Sequence, residues 1–177
     1  FELKKDLGII TNDLHNYFAT HGNFLTGYIT VLSGHYSSIG VFKHQDFTSE
    51  QHEKAKETMK FLEIEHLKDK YVQEMSTGEL RKCIVARALI HDPKAFILDE
   101  PTVGLDLKSR FDILEYVRQL VLTKNISVLW ITHLFDEIEE DDNVTLIKTG
   151  KIIESGIVKN IIAKHKKENL VETFNYL

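Results

Sequence analysis

The apolar positions of this chain change rhythm near its middle. Leu80, Ile84 and Ala88, with Val85 and Leu89, form a helical stripe over about 77–91. Thr48 to Leu62 predicts another helix, with Thr48 and Gln51 as a capping box. A short helix is expected around Thr26 to Leu32, broken by Gly34 to Gly40, and Leu7 to Thr11 reads as a strand. Asn12 to Phe24 mixes polar and aromatic residues without a clean period and is predicted to be a loop. The second half alternates: strand 95–99, helix 107–123, strand 127–132, a short helix 134–139, and strands near 143–148 and 151–155. Residues 157–177 read as a terminal helix with Lys164 to Lys167 on a solvated face. Strand, helix, strand implies right-handed crossovers and a mainly parallel sheet with helical cover, an α/β fold.

Candidate chemistry gathers at Ile97 to Thr102. The apolar run Ala95 to Leu98 reads as a buried parallel strand, and ligands in open α/β sheets bind beyond the carboxyl ends of such strands. Asp99 and Glu100 stand at that end. In phosphate-transferring ATPases one carboxylate there holds Mg²⁺ while another group orients or deprotonates water. An acidic pair can equally just end a strand before Pro101. Ser76-Thr77-Gly78-Glu79 has the same double character. Ser76 with Glu79 is a capping box, and a helix N-terminus with a serine hydroxyl and a small Gly78 can also bind phosphate.

Composition narrows the class. A chain of 177 residues with 42% hydrophobic content can bury a sizeable core. A net charge of -5 argues against a protein that coats nucleic acid, and no nucleic-acid partner is expected. The single cysteine, Cys83, excludes an intrachain disulfide framework, fits a reducing compartment and reads as a small buried hydrophobe. No apolar run approaches the length of a membrane span. The N-terminus has neither a signal-peptide layout nor an initiating Met, the pattern of a trimmed chain or fragment.

Met75 to Glu79, followed by Arg81-Lys82, Ala86 to Leu89 and Ile97 to Thr102, resembles the ATP-binding cassette (ABC) ATPases. The resemblance implies a partial P-loop NTPase (RecA-like) core with a mainly parallel sheet, plus the helical subdomain of a cassette. It assigns 1–12 to the end of the core sheet and a Q-loop-like segment, and 13–91 to the helical subdomain. Residues 92–156 become the C-terminal part of the core and 157–177 a helical tail. Residues 75–79 resemble the signature, usually Leu-Ser-Gly-Gly-Gln, so that Ser76, Thr77, Gly78 and Glu79 become nucleotide contacts, with Ser76 and Gly78 kept from the motif. Phe96 to Asp99 resembles the Walker B strand, with Asp99 on the Mg²⁺ side and Glu100 as the catalytic carboxylate. Gly104 to Asp106 resembles the D-loop, although Asp106 can also simply cap helix 107–123. Ile131-Thr132-His133 resembles the switch histidine, although a histidine after a strand is more often a turn residue. The other histidines show no metal-ligand spacing.

Two departures qualify the resemblance. Asn12 stands where the family has the Q-loop glutamine, one methylene shorter, which puts its contact with Mg²⁺ or water in doubt. No Gly-x-x-x-x-Gly-Lys-Ser/Thr loop occurs in the chain. The resemblance implies an ATP-binding subunit or fragment, with ATP and Mg²⁺ as cofactors, that couples hydrolysis to transport and is inactive alone for lack of Walker A. Its partners would be a second cassette, head to tail, and a membrane transporter subunit, placing it in the cytoplasm at the membrane's inner face. Ile29 to Gly34 with Tyr36 to Phe42 is similar to molybdate and iron-complex import cassettes. The alternative is a degenerate or non-transport soluble cassette acting as an interaction or regulatory module. DNA-repair cassettes fit poorly, since no sustained heptads lie between Asn12 and Met75.

Overall fold

A computed structural model describes residues 6–177. The first five residues of the expected 1–12 segment lie outside that range. The described residues up to Ile131 form one compact unit and Thr132–Leu177 a second.

The first unit is built on three parallel strands, β1 (Leu7–Ile10), β2 (Ala95–Asp99) and β3 (Ser127–Ile131), in the order β1-β2-β3. Ile10 lies opposite Leu98, and Asp99 opposite Ile131, so all three strands end at one edge. The expected strand 127–132 stops one residue earlier. In β2, Phe96 and Leu98 are buried while Asp99 is exposed, which fits a core strand that emerges at its carboxyl end.

The segment 12–24 is not a loop: α1 spans Asn12–His21. Thr11 caps it, its hydroxyl accepting from the Leu14 N–H at 3.1 Å. Its core-facing residues are His15 and Phe18, with Leu14 half-buried. A histidine in the middle of that stripe hides the helical period from a hydropathy reading. Gly22 ends the helix, its N–H donating to the Phe18 carbonyl at 2.7 Å.

Three further helices cover this unit before the long one. They are α2 (Gly27–Leu32), α3 (Ser49–Phe61) and α4 (Thr77–Leu89). The capping box at Thr48 and Gln51 forms as expected. Helix α4 buries Leu80, Arg81, Cys83, Ile84, Val85, Ala86 and Leu89, so it is enclosed on most sides rather than along one stripe. Helix α5 (Leu107–Lys124) links β2 to β3 and buries Ile113, Val117 and Leu120.

In the second unit the parallel expectation stops. Strands β4 (Asn143–Lys148) and β5 (Lys151–Ile157) form a separate antiparallel pair. Only Thr149 and Gly150 separate them, both at positive φ, 50° and 75°. So short a connection can make only a hairpin. The single terminal helix is also corrected, to α6 (Val158–His165) and α7 (Leu170–Tyr176). Lys166 breaks it in the left-handed region at φ 53°, and Asn169 caps the next helix. Leu146, Val158, Ile161 and Leu170 form this unit's core.

Candidate functional site

At the carboxyl end of β2 the backbone turns sharply. Glu100 sits in the left-handed region at φ 47°, a conformation that is strained by about 1–3 kcal/mol for a residue with a side chain. Its N–H donates to the Ile131 carbonyl at 2.9 Å and its carbonyl accepts from Val103 at 3.3 Å. The turn is therefore held against the end of β3. Thr102 is 1% exposed below it, and its carbonyl accepts from Leu105 at 3.1 Å. Asp99 is exposed and Glu100 half-buried, so the two carboxylates stand in different surroundings at the strand edge.

The capping box at α4 is present in full. The Ser76 hydroxyl accepts from the Glu79 N–H at 3.2 Å, and the Glu79 carboxylate accepts from the Ser76 N–H at 2.7 Å. Lys70 donates to both Glu79 oxygens at 2.9 and 2.8 Å. Partial burial pushes the Glu79 carboxyl up. The Lys70 bond, the Ser76 N–H and the Lys70 charge outweigh burial and leave it below its ordinary pKa.

Gly78 connects this cap to α5. A Cβ on Gly78 would lie 2.4 Å from Ser109 Oγ and 2.8 Å from Ser109 Cβ. Ser109 Oγ is itself held, donating to Asp106 Oδ2 at 2.6 Å, while its N–H donates to Oδ1 at 3.0 Å. Asp106 is thus the N-cap of α5, and the Ser109 bonds lower its carboxyl pKa. Ser76, Gly78, Glu79 and Asp106 are brought together through Ser109, a residue that no motif spacing singles out.

Asn12 stands at the first turn of α1, beyond the end of β1, and its Oδ1 accepts from Arg81 Nη2 at 2.7 Å. His15 lies beside this pair. Burial, and then the Arg81 charge, push its pKa down to about 4. Between about pH 6.5 and 4 the unfolded chain takes up a proton that the folded chain refuses, so folding stability falls as pH drops through that window, by up to about 3 kcal/mol. Urea unfolding from pH 7 to 5 is expected to show this slope in the native chain and lose it in His15→Leu; an unchanged slope would assign the effect to other groups.

Cys83 is buried, and burial followed by the Glu79 charge pushes its thiol up to about 12, so it is a core residue. His133 belongs to the second unit and is exposed. Among the described residues no three His, Cys, Asp or Glu side chains cluster as a metal site. Asp99 fits the simpler demand of Mg²⁺, which takes one or two carboxylates and completes its shell with phosphate oxygens and water. No helix is long and apolar enough to cross a membrane among the described residues.

Parallel strands joined through helices, an acidic pair where the middle strand ends and a capped helix N-terminus on the same unit define a partial P-loop NTPase core. Residues 2–103 match the ABC transporter family, and the chain belongs to it. It is 35% identical over 133 residues to an uncharacterised ABC transporter ATP-binding protein, YlmA, of Bacillus subtilis, covering 74% of this chain and 50% of that protein. It is 36% identical over 104 residues to the molybdenum import ATP-binding protein ModC of Haemophilus ducreyi, covering 58% and 30%. The solved structure of cbiO1 from Clostridium perfringens, part of the ABC transporter complex cbiONQ, is similar with a TM-score of 0.74 at 27% identity, covering 93% of this chain and 62% of that one. The chain thus spans half or less of the curated relatives named here.

Proposed function

We propose that this chain supplies the signature side and the Walker B acids of an ABC ATPase that couples ATP binding and hydrolysis to transport through a membrane partner. The observation that carries this reading is one compact unit holding both the Ser76-capped start of α4 and the acids Asp99 and Glu100 at the sheet's carboxyl edge.

In this reading a second cassette binds head to tail and presents its ATP to α4. The Ser76 cap engages the Glu79 N–H, while the N–H groups of Thr77 and Gly78 have no acceptor within the helix and are suited to a γ-phosphate. Lys70 neutralises Glu79, so the motif meets the phosphate without a bare carboxylate. At a separate nucleotide site, distinct from the ATP presented to α4, Asp99 would hold Mg²⁺, which supplies charge neutralisation on the phosphate oxygens when bound. Glu100 takes the proton of the attacking water, and its fixed turn limits where its carboxylate can reach. His133, in the second unit, is assigned a γ-phosphate contact by its resemblance to the switch histidine. The membrane partner places the assembly at the cytoplasmic face.

These 177 residues contain no Gly-x-x-x-x-Gly-Lys-Ser/Thr loop, so the acids have no phosphate cradle within the chain. The purified chain with Mg²⁺ and ATP is therefore expected to release phosphate no faster than the blank. Turnover that is present in this chain and disappears in Glu100→Gln would overturn that expectation. The alternative is an interaction module that keeps the fold without turnover. Absence of ATP hydrolysis in the native assembly would select it.

A further inference from the structure

Among the described residues of the first unit, Arg81 is the largest side chain with almost no exposure, at 1%. A guanidinium carries five N–H donors and remains charged at neutral pH. Its Nη2 donates to Asn12 Oδ1 at 2.7 Å, while Nε and Nη1 are buried without a partner among the described residues. The Asn12 carboxamide is thus the acceptor this buried cation has, across 69 residues of sequence. Arg81 lies two positions after Glu79 on α4, and Asn12 immediately follows the Thr11 cap of α1. The bond therefore ties the chain leaving β1 to the helix that begins at Ser76. Asn12 brings its Oδ1 to Arg81 from the first turn of α1.

We propose that Arg81 is a positioning residue for Asn12: it holds the Asn12 carboxamide on α4, so that Asn12 ties α1 to the Ser76 helix instead of ligating Mg²⁺. The proposal rests on the functional reading above for its consequence in catalysis, while the coupling itself can be read in the chain alone.

Asn12→Ala leaves a buried charge without its acceptor and is expected to speed amide exchange of Cys83 and Ile84 in α4 by about tenfold, although the substitution lies on another helix. In an Arg81→Met background, where the charge is gone, Asn12→Ala should add almost nothing. Asn12→Asp, with the same reach and an opposite charge, should restore protection. Equal effects of Asn12→Ala in both backgrounds, or no rescue by Asp, would overturn the proposal. In the ATP-hydrolysing assembly, Asn12→Ala and Arg81→Met should lower kcat to similar extents and leave the Mg²⁺ concentration for half-maximal rate unchanged. A rise in that concentration for Asn12→Ala alone would make Asn12 a metal ligand and overturn the proposal. An assembly with no turnover would remove the functional reading and leave the exchange coupling standing.

Discussion

Glu100→Gln in the native assembly is expected to lower ATP turnover by at least about a hundredfold, the usual effect of removing a positioned general base. The substitution keeps the side chain's size and removes its ability to take a proton. The turn around it is made by main-chain groups, the Glu100 N–H on the Ile131 carbonyl and the Val103 N–H on the Glu100 carbonyl, and both survive. Nucleotide binding is expected to persist, because the proposed phosphate contacts do not use the Glu100 carboxylate. Phosphate release measured alongside binding of a fluorescent ATP analogue separates these effects. Full turnover in Glu100→Gln would reduce Glu100 to a turn residue in a left-handed conformation. Loss of both turnover and binding would point to collapse of the turn, which thermal unfolding of the variant would reveal.

Gly78→Val should destabilise the first unit by about 3 kcal/mol, and Gly78→Ala by about 2 kcal/mol, because an added Cβ meets Ser109 Oγ at 2.4 Å. Helix propensity alone points the other way, since alanine is favoured over glycine inside a helix by about 1 kcal/mol. Turning the Ser109 hydroxyl away would break its bond to Asp106 at 2.6 Å and still leave Ser109 Cβ 2.8 Å from the added atom, so the clash spreads into the cap of α5. For a chain of this size a loss of 2 kcal/mol corresponds to a fall in melting temperature of about 4–8 °C. Ser109→Gly placed in the Gly78→Ala background should restore about half of it, because the colliding atoms are gone while the Asp106 cap is weakened. Failure of that rescue would show that the glycine serves something other than its contact with Ser109. Equal stability of Gly78→Ala and the native chain would show that α4 can shift away from α5 at little expense.

Much of the local structure was legible in the chain. Ser76, Thr48 and Asp106 announce helix starts because a capping side chain acts on N–H groups three residues away, an interaction contained within one sequence window. The acidic pair was legible for a similar reason, since an apolar strand followed by charge marks where a core strand reaches solvent. Helix α1 was illegible because His15 occupies a core position, and only burial beside Arg81 makes a neutral histidine act as core. The break at Lys166 escaped notice as well, because a lysine in the left-handed region carries no composition signal.

The site divides along the same line. Residue types and spacing pointed to the places where phosphate chemistry is proposed, Ser76 to Glu79 and Asp99 with Glu100, because motifs of this kind are short-range arrangements of donors and acids. Only the tertiary structure decided that Gly78 is required by Ser109, that Glu79 is neutralised by Lys70, and that Asn12 is engaged by Arg81. Those contacts join residues 9 to 69 positions apart, and their energies depend on burial and approach distance, neither of which exists until the chain has folded.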